Sequence, residues 1–482
     1  MEYVFLALAL GLALGFEFVN GFHDTANAVA TVIYTNSLKP TYAVVWSGCL
    51  NLLGVLTSSG AVAFGIIALL PSELVLHVGS GSGFAMVFSL LISAIMWNLG
   101  TWYLGLPASS SHTLIGSIMG VGVANALLTG HPFSEGINGA KVQEVFTALL
   151  LSPIVGFVLS AGLLYLAKYF ITNPELYQAP EGDQPPPLWI RGLLIFTCTG
   201  VSFAHGSNDG QKGMGLIMLI LVGILSGQFA LNPDTDSQAI AAIVSASNNV
   251  AAVVQNTAPT PSLNIDDELS TYLKPAGKVS PTIFAALSAK SQAIGTKLSG
   301  KTSLKSLTEA ERSQLRTDMF LVTGTITKLE KHKDIKDPNQ EKVLTGYSKQ
   351  LDGVTKYIPT WVKVAVAFAL GLGTMIGWER IVKTVGEKIG KEHLTYAQGG
   401  SAELVAAITI FAADHFGLPV STTHVLSSGI AGTMAANGSG LQSETLRNIA
   451  LAWVLTLPVC IFLGSMTYAG SLFLVLNVLG VK

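Results

Sequence analysis

Gly105-Leu106-Pro107-Ala108-Ser109-Ser110-Ser111-His112 returns almost letter for letter as Gly417-Leu418-Pro419-Val420-Ser421-Thr422-Thr423-His424. A second pair of segments precedes the two copies. It consists of Gly21-Phe22-His23-Asp24-Thr25-Ala26-Asn27 and Gly206-Ser207-Asn208-Asp209-Gly210-Gln211-Lys212. All four lie in strongly apolar surroundings. Each puts Asp, Asn, His or hydroxyls beside Gly or Pro, where chain facing lipid should be apolar. Interrupted hydrophobic segments at matching places in two halves point to the substrate site of a transporter. An ionisable group inside a membrane is costly and is by default a functional candidate.

The surroundings support that setting. Of 482 residues, 50% are hydrophobic and only 12% are charged, with mean hydropathy +0.53. A soluble chain carries about 25% charged residues. Apolar runs cover 3–16, 42–70, 84–104, 145–167, 189–204, 213–231, 360–377, 402–413 and 449–481. A bilayer crossing needs about 20 apolar residues, fewer when polar flanks snorkel. The fold class is therefore an all-α polytopic membrane protein with ten to twelve crossings and broken helices. The 449–481 run reads as one tilted helix or two. A net charge of −2 argues against nucleic-acid binding. Cys49, Cys198 and Cys460 sit in apolar runs without metal spacing and read as small buried residues. The N-terminal run lacks a basic flank and reads as a retained first helix.

The repeat can be tested by spacing. Gly21 and Gly105 are 84 residues apart, Gly206 and Gly417 211 apart. The excess nearly equals the one long polar stretch, 232–356. Removing that stretch superimposes the halves. The expected organisation is a first membrane repeat over 1–170, a linker over 171–188, and a second repeat over 189–231 and 357–482. The extramembrane insert is 232–356. It holds 15 of the 27 Lys and Arg and 13 of the 29 Asp and Glu, and helical patterns at 281–298 and 308–331. Its plain reading is a small helical lobe without chemistry of its own. Short basic loops face the cytoplasm. Arg380, Lys383, Lys388 and Lys391 put 378–393 inside, Lys168 and Arg191 do the same for the linker, and Lys39 for the first loop. The insert then lies outside. The Asp24 and Asp209 helices run in opposite directions, as in inverted repeats.

The motifs suggest two chemistries. Asp24 with Asn20 and Asn27, and Asp209 with Asn208, offer a carboxylate and amide oxygens to a hard cation or a proton. The alternative is an Asp that caps a broken helix. Pro107 and Pro419 suit the first turn of a new half-helix. Ser109, Ser110, Ser111 and Thr113, and Ser421, Thr422 and Thr423, would then stand at exposed helix N-termini. Free N–H groups, the positive dipole end and hydroxyls there can hold a tetrahedral oxyanion. Alternatively, such hydroxyls back-bond to their own helices. His112 and His424 can donate to the anion, shuttle a proton or bond across the repeat interface. Glu17, about two turns before Asp24, is a candidate proton carrier, or else a buried hydrogen-bonded carboxyl. Lys212 stands where the first repeat has Asn27, one turn from Asp209, and can pair with it.

These segments, with the longer His205-Gly206-Ser207-Asn208-Asp209-Gly210-Gln211-Lys212-Gly213 stretch, closely resemble the inorganic phosphate transporter (Pit) family, most of all its bacterial low-affinity members. The likeness extends over Ala26–Tyr34, Trp97–Gly120 and Gly371–Gly390 and leaves out the insert. It implies inverted repeats, symport of inorganic phosphate and an inner-membrane location. For bacterial members it implies proton coupling, with phosphate carried as a divalent metal complex and no bound cofactor. Sodium serves elsewhere in the family. By motif, Asp24, Asn27, Asn208 and Asp209 fall on the cation side, and Ser109, Ser110, Ser111, Thr113, Ser421, Thr422 and Thr423 on the phosphate side. Asp-Gly-Gln-Lys replaces the Asp-Val-x-Asn common in sodium-coupled members, which tilts the reading toward protons. The bilayer is the expected environment, and a homo-oligomer stays open. A sulfate permease on this scaffold is the nearest rival, although carboxylate acceptors favour phosphate, which can donate a hydrogen bond. An anion channel predicts uptake indifferent to the proton gradient. An intramembrane hydrolase is disfavoured, because no Gly-x-Ser-x-Gly elbow or His-Glu-x-x-His pattern is present.

Overall fold

The computed structural model describes residues 2–69, 80–133, 136–137, 139–255, 264–274, 277–478 and 480. Parts of the expected insert (256–263 and 275–276) and the ends of the 42–70 and 449–481 runs lie outside the described residues. The remainder is helical. In the first half, α1 (Glu2–Asp24) and α2 (Ala26–Tyr34) are followed by α3 (Pro40–Thr57), the short α4 (Ala61–Ile67), α5 (Gly81–Tyr103), α6 (Ser110–Leu128) and α7 (Gly139–Phe170). Then comes α8 (Leu188–Ile224). The insert supplies α9 (Ser237–Gln255), α10 (Ile265–Leu273), α11 (Ile283–Leu298), α12 (Glu309–Lys331) and α13 (Pro338–Thr355). After it come α14 (Thr360–Met375), the short α15 (Glu379–Glu387), α16 (Tyr396–His415), α17 (Thr422–Asn437) and α18 (Ser443–Phe473).

Contacts between the halves exchange in pairs. Helix α3 packs on α8 while α14 packs on α1, and α18 packs on α6 while α7 packs on α17. Glycine permits the first two crossings. A Cβ on Gly206 or Gly54 would run into the backbone of the facing helix, α3 or α8, and one on Gly21 or Gly373 would do the same between α1 and α14. Small residues let backbones approach where lipid gives no hydrophobic drive to association.

Eight helices among the described residues are long and apolar enough to cross a membrane, or nine with the bent pair Pro338–Thr355 and Thr360–Met375. One of the eight, Ser237–Val254, packs instead within the core of the lobe, with Ile240, Ile243 and Val250 against Ile294, Leu315 and Leu351. The expected ten to twelve crossings came from counting segments that fail such a test alone. Helices α14 and α17 have 16 residues each, and α16 carries Gln398 and Glu403. The 449–481 run is one helix with Pro458 inside it, closed by a π turn over Leu474–Val478.

Loops gather at two ends. Asn36 donates to Gly182 O, Arg191 to Ser37 O, and the Tyr396 amide to Gln178 O. These bonds bring together the first loop, the linker and the start of α16. At the opposite end Lys363 donates to Ser58 O, and Arg312 of the lobe to Gly227 O. Arg316 donates to both Ala230 O and Thr355 O, closing the neck of the lobe.

Candidate functional site

Two helix N-termini meet in the bundle. The chain leaves α5 through Gly105 (φ +67°) and α16 through Gly417 (φ +65°), both left-handed positions that suit glycine. Gly105 packs near Arg380 and Thr384 of α15, and Gly417 against Ala61 of α4. Each loop then turns inward to start a new helix. Those helices begin later than the prolines suggest. Pro107 and Pro419 lie in connecting segments, Ser109 and Ser421 are the extended N-cap residues, and α6 and α17 start at Ser110 and Thr422. The Ser109 hydroxyl accepts from the His112 amide at 3.2 Å and the Ser421 hydroxyl from the His424 amide at 3.1 Å. A side-chain oxygen fixes the helix start more strongly than Pro does. The His112 and His424 rings face each other with centroids 4.7 Å apart, and His424 stacks on Trp453 at 4.0 Å.

The carboxylates lie against these ends. Asp24 accepts from Thr423 of α17 at 2.8 Å and from Ser110 of α6 at 3.0 Å. Ser110 also lies 3.4 Å from Asp209, so a single hydroxyl bridges the two carboxylates. Asn27 donates to Thr423 at 2.9 Å and Thr422 at 3.3 Å. Lys212 sits 2.7 Å from Asp209 and donates to Ser110 at 3.2 Å. Ser111 donates to Val420 O, and Thr113 back-bonds to Ser109 O. Asn208 donates to Leu418 O and so holds the second loop. Glu17 is buried with neither oxygen hydrogen-bonded, beside Gly213, where a Cβ would strike it. Every residue expected at the site is buried; the most exposed, His112, is at 8%. The conformation described is closed to solvent.

A break was expected at both Asp segments. At the first, α1 and α2 are separated by Thr25 alone, whose backbone stays right-handed helical (φ −52°, ψ −38°), and Tyr3–Tyr34 runs as one 32-residue span. Thr25 turns its hydroxyl back to Gly21 O at 2.7 Å and across to Thr374 O at 3.0 Å. Hydroxyl back-bonding of this kind bends helices. Gly210 occupies the matching place in the second half, has no hydroxyl, and packs on Val55, so α8 runs through Asp209 uninterrupted.

Three acidic or basic groups were not singled out from the sequence. His205, one turn before Asp209, holds its Nε2 3.4 Å from Asp209 and 3.8 Å from Asp24, with Nδ1 3.1 Å from Asn51 Oδ1. Ligand atoms of Asp24, His205 and Asp209 lie within 4.8 Å of one another, a set able to hold a cation. Asp414 accepts from Ser207 at 2.6 Å and Gln211 at 2.5 Å. Glu403 accepts from Thr197 at 2.5 Å and leaves its other oxygen unpartnered. Both carboxyls lie at or just beyond an apolar run, a signal that could have marked them.

With known proteins compared, the phosphate transporter family matches residues 20–464. The low-affinity inorganic phosphate transporter PitA of Escherichia coli (strain K12) is 44% identical over 485 residues, covering 97% of this chain and 96% of that one. PitB of the same strain is 44% identical over 478 residues, 96% of each chain. A probable low-affinity inorganic phosphate transporter of Bacillus subtilis (strain 168) is 29% identical over 457 residues, 95% of this chain and 94% of that one. A solved structure described as the sodium-dependent phosphate transporter superimposes with TM-score 0.54, covering 97% of this chain and 98% of that one. At 19% identity it bears on the fold alone.

Proposed function

Because the chain belongs to the phosphate transporter family, we propose that it is a secondary-active symporter importing inorganic phosphate across the inner membrane, driven by protons. The phosphate travels as a neutral complex with a divalent metal ion, which is cargo and not a resident cofactor. One observation carries this reading. The N-termini of α6 and α17 converge beside Asp24 and Asp209, and Ser110 touches both carboxylates.

The anion binds between the two first turns. There the free N–H groups and dipole ends of two helices stabilise it. Ser110, Ser111, Thr422 and Thr423 supply hydroxyls, with Ser109 and Ser421 holding the turns. Asp24 and Asp209 accept the phosphate's own hydrogen bond, which sulfate at neutral pH lacks. Protonation at Asp24 and Asp209, with Glu17 as a further carrier, couples each cycle to the proton gradient. The halves 1–170 and 189–482 (the lobe apart) act as inverted repeats that rock about this point to open one face and then the other.

The family's named members are transporters. Among the described residues no serine or threonine of the two clusters bonds a histidine ring, as an activated nucleophile requires. A sodium-coupled version of the same symport has one observation in its favour, the cation-sized cluster of Asp24, His205 and Asp209.

Radiolabelled phosphate uptake into proteoliposomes tests the reading. An inward proton gradient should drive uptake without sodium, magnesium should raise it, and excess sulfate should not compete. Uptake indifferent to pH, or competition by sulfate, would overturn it.

A further inference from the structure

The two halves of the site match closely, and they differ in charge three residues after each Asp. Asn27 lies three residues after Asp24, and Lys212 three residues after Asp209. Asn27 donates its amide to Thr422 at 3.3 Å, and Lys212 donates its ammonium to Ser110 at 3.2 Å. Ser110 and Thr422 are themselves the equivalent first residues of α6 and α17. Lys212 therefore occupies the place of a neutral amide and brings a positive charge to it. Its ammonium is 2.7 Å from Asp209, and the side chain is 1% exposed. A buried lysine among apolar helices persists only when it is paired. We propose that Lys212 is a built-in cation: its ammonium fills the position beside Asp209 that a free inorganic cation would otherwise have to fill, and so lowers by one the number of coupling cations each phosphate needs.

Charge bookkeeping gives the reason. Asp24 and Asp209 together carry two negative charges beside Ser110. The groups facing them are the ammonium of Lys212, the imidazoles of His205 and His23, the latter 3.3 Å from Asp24, and the buried carboxyl of Glu17 beside Gly213. The ammonium cancels one carboxylate permanently, because it is tethered and cannot leave with the substrate. One carboxylate, Asp24, is left to exchange its partner during the cycle. It is also the one held only by hydroxyls and imidazoles, with no lysine or arginine among the described residues in an ion pair with it. The two Asp residues thus divide the work, Asp209 as a fixed site and Asp24 as the exchanging one. Removing the ammonium while restoring the matching amide should open a second exchanging site. A small monovalent cation such as sodium or lithium fits it, since carboxylate and hydroxyl oxygens are hard ligands.

This inference rests on Asp24 and Asp209 being the coupling carboxylates. The test is the Lys212→Asn variant of the full chain, reconstituted in proteoliposomes at slightly alkaline pH, with choline replaced stepwise by sodium or lithium. Wild-type uptake should be unchanged by the replacement. Uptake by Lys212→Asn should be low in choline and rise about tenfold or more in sodium or lithium, the scale of one charge-assisted contact. A second readout does not need transport. Sodium should raise the thermal unfolding temperature of purified Lys212→Asn and leave that of the wild type alone. A variant that unfolds in choline and recovers in sodium also supports the assignment. A variant that matches wild type in choline, stays unfolded in every cation, or folds without any cation effect overturns it. The double variant Asp209→Asn with Lys212→Asn should lose the sodium dependence again, and persistence of that dependence counts against Asp209 as the fixed site. If wild-type uptake ignores the proton gradient, the coupling reading fails by itself, and the sodium shift of Lys212→Asn still decides whether the ammonium stands in for a cation.

Discussion

Replacing Thr423 with valine removes one hydroxyl from the centre of the site and almost nothing else. The Thr423 hydroxyl donates to Asp24 at 2.8 Å and accepts from Asn27 at 2.9 Å. Valine has the same shape, so α17 keeps its packing and its Ser421 cap. A hydrogen bond to an ionised group contributes ~1.5–3 kcal/mol, and a neutral one between membrane helices averages ~0.6 kcal/mol. Asp24 retains Ser110 and Asn27 retains Thr422, so neither partner is left bare. The expected loss is about 2.5 kcal/mol, or ~70-fold in phosphate transport if both contacts hold the loaded state. Thr423→Ser keeps the hydroxyl and should stay within a fewfold of wild type. Initial rates of phosphate uptake in proteoliposomes, at matched protein density, read both variants. The reasoning fails if valine transports within about threefold of wild type, or if serine is as damaging as valine.

Three further outcomes follow from the packing and the lobe. Ser109→Ala and Ser421→Ala each delete one cap and should each lower stability in detergent by ~1 kcal/mol, with glycine at the same positions costing only a few tenths; equal stability of alanine and wild type would deny the caps. Gly206→Ala drives a methyl into the backbone of Asn51 and should destabilise by about 1–3 kcal/mol, whereas Gly192→Ala meets nothing within 4 Å and should be neutral or stabilising; thermal unfolding of the two tells them apart. In the lobe, burial pushes Asp318 up, but hydrogen bonds from Lys297 and Gln314 and the charge of Lys290 prevail and hold it below the usual carboxylate range. Its stabilisation is therefore complete above the unfolded value of about 4 and is lost as pH falls through the lower folded value; hydrogen exchange over the lobe in the intact protein should rise on acidification below that range, and Asp318→Asn should flatten the rise.

The fold was legible where chemistry repeats. The two Gly-Leu-Pro segments marked the loops that lead into α6 and α17, and the polar stretch 232–356 stands apart in composition from the apolar runs around it. Within the lobe, α11 and α12 could be read from periodicity. Helix α9 could not, since Ser237–Val254 is apolar enough to pass for a crossing and only its partners show otherwise. The site residues were legible by type, their partners were not. Nothing in the sequence says that Ser110 reaches two carboxylates or that Thr113 turns back on its own helix, because those outcomes depend on how closely α6 and α17 approach. The role of His205 is not legible from the residues next to Asp209, because its ring reaches the site from one turn away on α8.

The departures from symmetry tell more about the mechanism than the symmetry does. Thr25 and Gly210 hold equivalent places, as do Asn27 and Lys212. The threonine keeps a right-handed helical backbone beside Asp24 and ties its hydroxyl back to Gly21 O and across to Thr374 O. The glycine leaves α8 continuous around Asp209, and the lysine one turn on holds that carboxylate in a fixed ion pair. A carboxylate held by hydroxyls and imidazoles suits exchange. One held by a tethered ammonium suits permanence. The charge thus assigns different roles to the two carboxylates, and a sequence with asparagine in both halves should bind its coupling cation at both.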